Sequence, residues 1–176
     1  MKGPTYRLAT IADLTALHRI AERAIAELQK PFLNPDQIGA SAKIMGIDTQ
    51  LIHDGTYFLV ESDGMIVGCG GWSRRATLYG GDHSVGRDAA LLDPATDPAR
   101  IRAMYTDPNF ARRGIGRLII AACEDAMRAE GFRHAELMAT KAGQPLYQAC
   151  GYEVVEDVTD DRGGPGVPLS RMRRTL

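Results

Sequence analysis

Residues Ala111-Arg112-Arg113-Gly114-Ile115-Gly116-Arg117 set three arginines and two glycines directly ahead of the apolar run Leu-Ile-Ile-Ala-Ala-Cys. A helix that starts there presents unpaired N–H groups and the positive end of its dipole, which together attract anions. Arg112, Arg113 and Arg117 add charge around that end. Glycine at 114 and 116 removes Cβ atoms that would hold a diphosphate away from the backbone. The chemistry offered is phosphate binding; the plainer alternative is a glycine-tolerant helix start with solvated arginines. Two other phosphate motifs fit less well. A dinucleotide-binding turn needs GxGxxG directly after its strand, whereas position 119 is Ile and eight residues separate Tyr105 from Gly114. A P-loop needs GxxxxGK followed by Ser or Thr, which is absent. His18, His53, His83 and His134 show no metal-ligand spacing, and Cys69, Cys123 and Cys150 form no CxxC pair, so no metal is expected.

The elements that must position this loop are legible around it. Tyr6 to Leu8 reads as a short strand. Thr10 or Asp13 then caps a helix running to about Gln29, with Leu14, Leu17, Ile20, Ala21, Ile25 and Leu28 at helical spacing. After the breaker KPFLNP a second helix is expected over 35–46. TYFLVE and MIVGCGGW, joined by the turn SDG, form a hairpin. Residues 73–100 carry little periodic apolar pattern and read as a long loop with room for one helical turn; its alternatives are a substrate lid and a mobile surface excursion. RIRAMYT is a strand, and GRLIIAACEDAMRAEG is a helix stopped by Gly131. HAELMAT is a strand, QPLYQACG a short helix with Pro145 in its first turn, and YEVVEDV and PLSRMRRTL are two further strands. Strands and helices alternate, so a mixed sheet with helices on both faces is the expected architecture.

At 176 residues and 44% apolar, the chain suits one domain, 1–176, with a loop insertion at about 73–100. A formal net charge of −1 gives no global field for nucleic acid or an anionic membrane, and neither is expected as a partner. The start MKGPTYRLAT lacks the apolar core of a signal peptide, and no apolar run reaches membrane-spanning length. An odd number of unpaired cysteines suits a reducing cytosol, so a cytoplasmic location is expected.

The flanks of the glycine loop carry more information than the loop alone. YTDPNFARRGIGRLII resembles the pyrophosphate-binding segment of the GCN5-related N-acetyltransferase (GNAT) superfamily, in which a strand leads to an R/Q-x-x-G-x-G/A loop and then a long helix. PLYQACGY is similar to the same family's Y-x-x-x-G-[FY] helix, and about thirty residues, holding a helix and a strand, separate the two motifs. The likeness extends from Tyr6 to about Val155. It implies an α/β (α+β) single-domain GNAT fold: a mixed, mostly antiparallel twisted sheet with helices on both faces and a splayed central strand pair. Two departures stand out. Ala111 occupies the first loop position, where Arg or Gln is usual, and Ala142 stands where an Asn often follows the next strand.

The resemblance implies acetyl-CoA as donor and an amine as acceptor. The diphosphate would rest on the amides of Arg112, Arg113, Gly114, Ile115, Gly116 and Arg117. The pantetheine arm would lie along Met104, Tyr105 and Thr106 as an added strand, with an N–H near Met104–Tyr105 polarising the thioester carbonyl. Tyr147 falls at the family's general-acid position. The amine must shed a proton before it can attack. Some relatives use a Glu at the position held here by Met138, which cannot take a proton. Glu136 shares that strand face and is the candidate base, with a water chain to backbone carbonyls as its alternative. A covalent acetyl-Cys150 route would need a partnered base that the sequence does not show, so direct transfer is expected.

Three functions follow from the resemblance: a small-molecule N-acetyltransferase, a protein N-acetyltransferase acting on a lysine or an N-terminus, and a catalytically weak acyl-CoA sensor module. Helix 13–29, segment 35–50 and loop 73–100 are expected to build the acceptor wall. Asp82, Asp88 and Asp93 are available there for a cationic acceptor. Sheet-edge or helix pairing is common among the relatives, so a homodimer is among the expected forms.

Overall fold

The computed structural model describes residues 2–176. In chain order it contains β1 (Thr5–Leu8), α1 (Leu14–Leu28), α2 (Pro35–Ile44), α3 (Thr49–His53), β2 (Tyr57–Ser62), β3 (Met65–Ser73), β4 (Ala99–Thr106), α4 (Ile115–Ala129), β5 (His134–Thr140), α5 (Gln144–Ala149), β6 (Glu153–Asp160) and β7 (Val167–Thr175). The seven strands form one sheet in the order β1-β2-β3-β4-β5-β7-β6. Every neighbouring pair is antiparallel except β4 and β5.

Alternation along β2 assigns the two faces. Val60 points to the side where α4 buries Ile115, Ile119, Ile120, Cys123 and Met127. Tyr57 and Leu59 point to the other side, against Leu17, Ile20 and Ala21 of α1. A period of two in the strand and about 3.6 in the helices is what lets one sheet carry a helix on each face.

α2 begins where the sequence indicates. The Asn34 side chain accepts from Gln37 N–H at 2.9 Å, Gln37 returns the bond to Asn34 N–H, and Pro35 opens the helix. α3 is a correction, since no separate helix was expected in that segment. Five residues are too few for helical periodicity to show; the Asp48 cap on Gln50 N–H at 3.0 Å defines the element instead.

The long segment between β3 and β4 is a loop with one helical-type turn, Asp97 N–H bonding Asp93 O at 2.7 Å, and Arg75 pairs with Leu91 in an isolated antiparallel bridge. Side-chain bonds pin it along its length. Arg75 holds Asp54 through two nitrogens, Arg102 donates to Gly80 O at 2.8 Å, and Ser84 Oγ donates to Ile44 O at 2.6 Å. Asp82 accepts from Thr49, and Arg162 donates to Val85 O at 3.0 Å. These bonds tie the segment to α2, α3, β4 and the β6–β7 turn along its length.

Candidate active site

The parallel ladder between β4 and β5 has only two rungs, Ala99↔Ala135 and Arg100↔Glu136. Beyond them the strands part, and β5 stays zipped to β7 through Thr140. β4 keeps its bonds to β3 but with a shifted register, Cys69 facing Tyr105 and Gly71 facing Arg102, which places an extra β4 residue between those pairs. Ala103, with φ of 50°, takes up that bulge, and Tyr57 donates to its carbonyl at 2.6 Å. A wedge therefore opens in mid-sheet, one edge of β4 free of a strand partner.

The wedge is part of a cavity of about 720 Å³. Ile101 to Thr106 form one wall and Leu137, Met138 and Thr140 the other, with the start of α4 and Tyr147 also lining it. Of the residues singled out from sequence, Met104, Tyr105, Thr106, Arg112, Gly114, Ile115, Gly116, Arg117 and Tyr147 all reach it. Arg113 does not: its guanidinium stacks over the Phe110 ring at 5.0 Å. Glu136 does not either. Its carboxylate is bound by Arg171 at 3.0 Å and lies 3.7 Å from Arg100, so the geometry gives a base role no support.

The loop before α4 has the backbone that anion binding requires. Leu118 N–H closes the first helical bond, onto Gly114 O at 3.1 Å, and among the described residues the preceding amides from Arg112 onward have no backbone acceptor. Arg112 and Gly114 both take positive φ, 61° and 81°, the left-handed conformation found in anion-binding backbone nests. The two glycines differ in purpose. A Cβ at Gly114 would meet nothing within 4 Å, so that position is glycine for its φ and its openness. A Cβ at Gly116 would stand 2.5 Å from Leu146 Cδ2, so glycine there lets α5 pack on α4. Gly116 thus has a packing role as well as a place in the cavity lining.

Tyr147 is 8% exposed and contacts Tyr152 edge-on, ring centroids 6.2 Å apart. Among the described residues its hydroxyl has no hydrogen-bond partner, and burial holds its pKa well above the ordinary tyrosine value. It is a protonated O–H facing a cavity. Cys150 lies nearby, but burial raises its thiol as well, which disfavours a nucleophilic thiolate. Tyr105, by contrast, is committed: its hydroxyl accepts from Gly46 N–H at 2.9 Å and donates to Gly46 O at 3.2 Å.

The far end of the cavity was not readable residue by residue. Leu28 from α1, Phe32, Met45 and Leu78–Gly80 close it, so all three stretches expected to contribute do reach it. Tyr79 donates to Asp160 Oδ2 at 2.7 Å, and Arg162 lies over its ring at 5.2 Å while gripping the same carboxylate. The acidic lining is absent: Asp82, Asp88 and Asp93 all lie outside the cavity, bonded to Thr49, Ala90 and Ala95 respectively. Ala142 lines the cavity with a methyl group alone.

Among the described residues no cluster of three or more His, Cys, Asp or Glu is placed to hold a metal ion, and no helix is long and apolar enough to cross a membrane.

The model of the acetyltransferase (GNAT) family matches residues 21–152. Among solved structures, the GCN5-related N-acetyltransferase "Aminotransferase, Class-II" from Rhodopseudomonas palustris is 18% identical with a TM-score of 0.74, covering 100% of this chain and 98% of that one. PaiA N-acetyltransferase from Thermoplasma acidophilum, in complex with coenzyme A, is 13% identical with a TM-score of 0.66, covering 99% and 100%. YncA, a putative acetyltransferase from Salmonella typhimurium with its cofactor acetyl-CoA, is 17% identical with a TM-score of 0.65, covering 99% and 95%. Curated protein sequences yield no significant match.

Proposed function

From the premise that this chain belongs to the GNAT family of acetyltransferases, we propose that it moves an acetyl group from acetyl-CoA directly to a primary amine of a small molecule. One observation carries the reading. The unpaired amides before α4, the free edge of β4 and the unpartnered Tyr147 hydroxyl all open onto the same cavity.

These residues fit acetyl-CoA. Amides 112–117 with Arg112 and Arg117 offer donors and charge to a diphosphate, and the unzipped edge of β4 at Met104, Tyr105 and Thr106 offers main-chain bonds to an extended amide-bearing arm. Acetyl-CoA supplies the acetyl group as a thioester already activated toward amines. The β4 N–H groups near the bulge supply fixed dipoles where negative charge develops on the acetyl oxygen. Tyr147 keeps its proton through neutral pH and holds it, without an internal acceptor, for the departing sulfur.

The walls favour a small acceptor. The segment that carries Tyr79 is pinned, and Phe32, Met45 and Tyr79 line the cavity from three different parts of the chain. Among the described residues no carboxylate or imidazole lines the cavity, so the amine loses its proton to water or to backbone carbonyls through water. Glu136 we assign to holding the point where β4 and β5 diverge, through Arg100 and Arg171.

The test is release of free thiol from acetyl-CoA with a panel of primary amines. Turnover with at least one small amine and none with lysine peptides is the expected result. Coenzyme A binding with no turnover on any amine would instead indicate a sensor module.

A further inference from the structure

We infer that the acceptor is an apolar amine carrying no second positive charge, selected by a wall built from Leu28, Phe32, Met45, Leu78, Tyr79 and Met138. This inference rests on the acetyl-transfer reading and narrows it to a substrate class. All six side chains border the cavity. Met45, Tyr79 and Met138 are also packed against the buried cluster of Leu33, Ala40, Ile44, Val167 and Leu169, so their apolar faces are backed by core. Two flexible thioethers and two aromatic rings make a surface that adapts to alkyl or aryl groups.

Charge makes the same selection. Among the described residues the ionic side chains lining the cavity are Arg102, Arg112 and Arg117, with no Asp, Glu or His. Arg102 is already paired with Asp48 at 2.9 Å, while Arg112 and Arg117 stand at the anion loop. The nearest negative charge behind the apolar wall, Asp160, is neutralised by Arg162 and capped by the Tyr79 hydroxyl. A second ammonium on the acceptor would thus be stripped of water beside methionine and arginine, with no carboxylate to receive it. A diamine or polyamine enters at a disadvantage that a monoamine of the same length does not meet.

The experiment compares butylamine with 1,4-diaminobutane, by kcat/KM with acetyl-CoA and by calorimetric binding to the full-length protein with and without coenzyme A. Butylamine should be favoured by about tenfold or more in both measures. The Met138→Glu variant, which sets a carboxylate in the wall, should shrink that ratio by about fivefold or more. An equal or reversed ranking in the unsubstituted protein overturns the inference, whatever the variant does. A ranking that persists in binding without any turnover supports the acceptor class and overturns the acetyl-transfer reading, so the two fail separately.

Discussion

Arg100 and Glu136 form the last rung between β4 and β5, and their side chains approach to 3.7 Å at the point where the sheet splits. Glu136 also binds Arg171 on β7 at 3.0 Å, so one carboxylate ties together the three strands around the opening. Glu136→Gln should cost about 1–3 kcal/mol, because Arg100 and Arg171 would lose their shared anion. Urea unfolding reads that loss. The acid limb of the pH–rate profile should stay in place; a limb that moved with stability intact would restore Glu136 as the base.

Tyr147→Phe removes a cavity-lining hydroxyl that has no hydrogen-bond partner among the described residues. Turnover should fall at least about tenfold while affinity for coenzyme A changes little, since the ring and its contact with Tyr152 remain. Stopped-flow thiol release and calorimetry separate the two quantities. Unchanged turnover would assign the proton to solvent.

Gly114 and Gly116 should respond differently to substitution. Gly114→Glu places a charged side chain at a positive φ in the anion loop and should weaken coenzyme A by more than about tenfold. Gly116→Ala meets only the end of Leu146, a side chain able to shift, and should reduce stability more than cofactor affinity. Titration calorimetry on both variants is the check. Equal effects on affinity would mean that the two glycines do serve a single purpose.

The part of the cavity beside β4 and the start of α4 was legible because backbone needs leave marks in sequence. A positive φ asks for glycine, a helix start asks for a free N-terminus, and Tyr147 sits at a fixed distance from the Gly151–Tyr152 turn. The far end left no such mark. Phe32, Met45 and Tyr79 converge from separate segments by tertiary packing, and any one of them alone reads as an ordinary apolar residue. Glu136 shows a related limit: alternation puts it on the face of Met138, yet alternation cannot show that its carboxylate binds Arg171. The irregular stretch before β4 looked loose because its order comes from side-chain bonds to distant residues, which have no period.

Asp48 illustrates that order. It is 2% exposed and holds Arg102 at 2.9 Å while also binding Arg87, so one carboxylate joins α3, β4 and the long segment. Asp48→Asn leaves the buried Arg102 guanidinium without an anion and should destabilise the protein by about 3–5 kcal/mol. A shift in the urea midpoint at constant slope would be the signature. A loss under about 1 kcal/mol would show that the segment is anchored by its other contacts.

The pH dependence should belong to the acceptor rather than to the protein. Among the described residues the cavity lining holds no Asp, Glu or His, and its tyrosines are all raised: Tyr147 by burial, Tyr105 by burial and committed to Gly46, and Tyr79 pushed up to about 12 by burial and then by Asp160. None changes charge between pH 6 and about 10, given an ordinary tyrosine value near 10 as the lower limit. Only the amine does so, and it reacts in its neutral form. Below the amine's own pKa, kcat/KM should therefore climb about tenfold per pH unit and level off at that pKa. Replacing butylamine with a less basic fluorinated analogue should move the bend downward by the difference in their basicities. The raised Tyr147 works in the same direction: a group whose pKa lies above its ordinary value keeps its proton longer, so no falling limb should appear below about pH 10. A bend fixed near neutral pH for both amines would mean that a protein group takes the proton, and the cavity walls offer none.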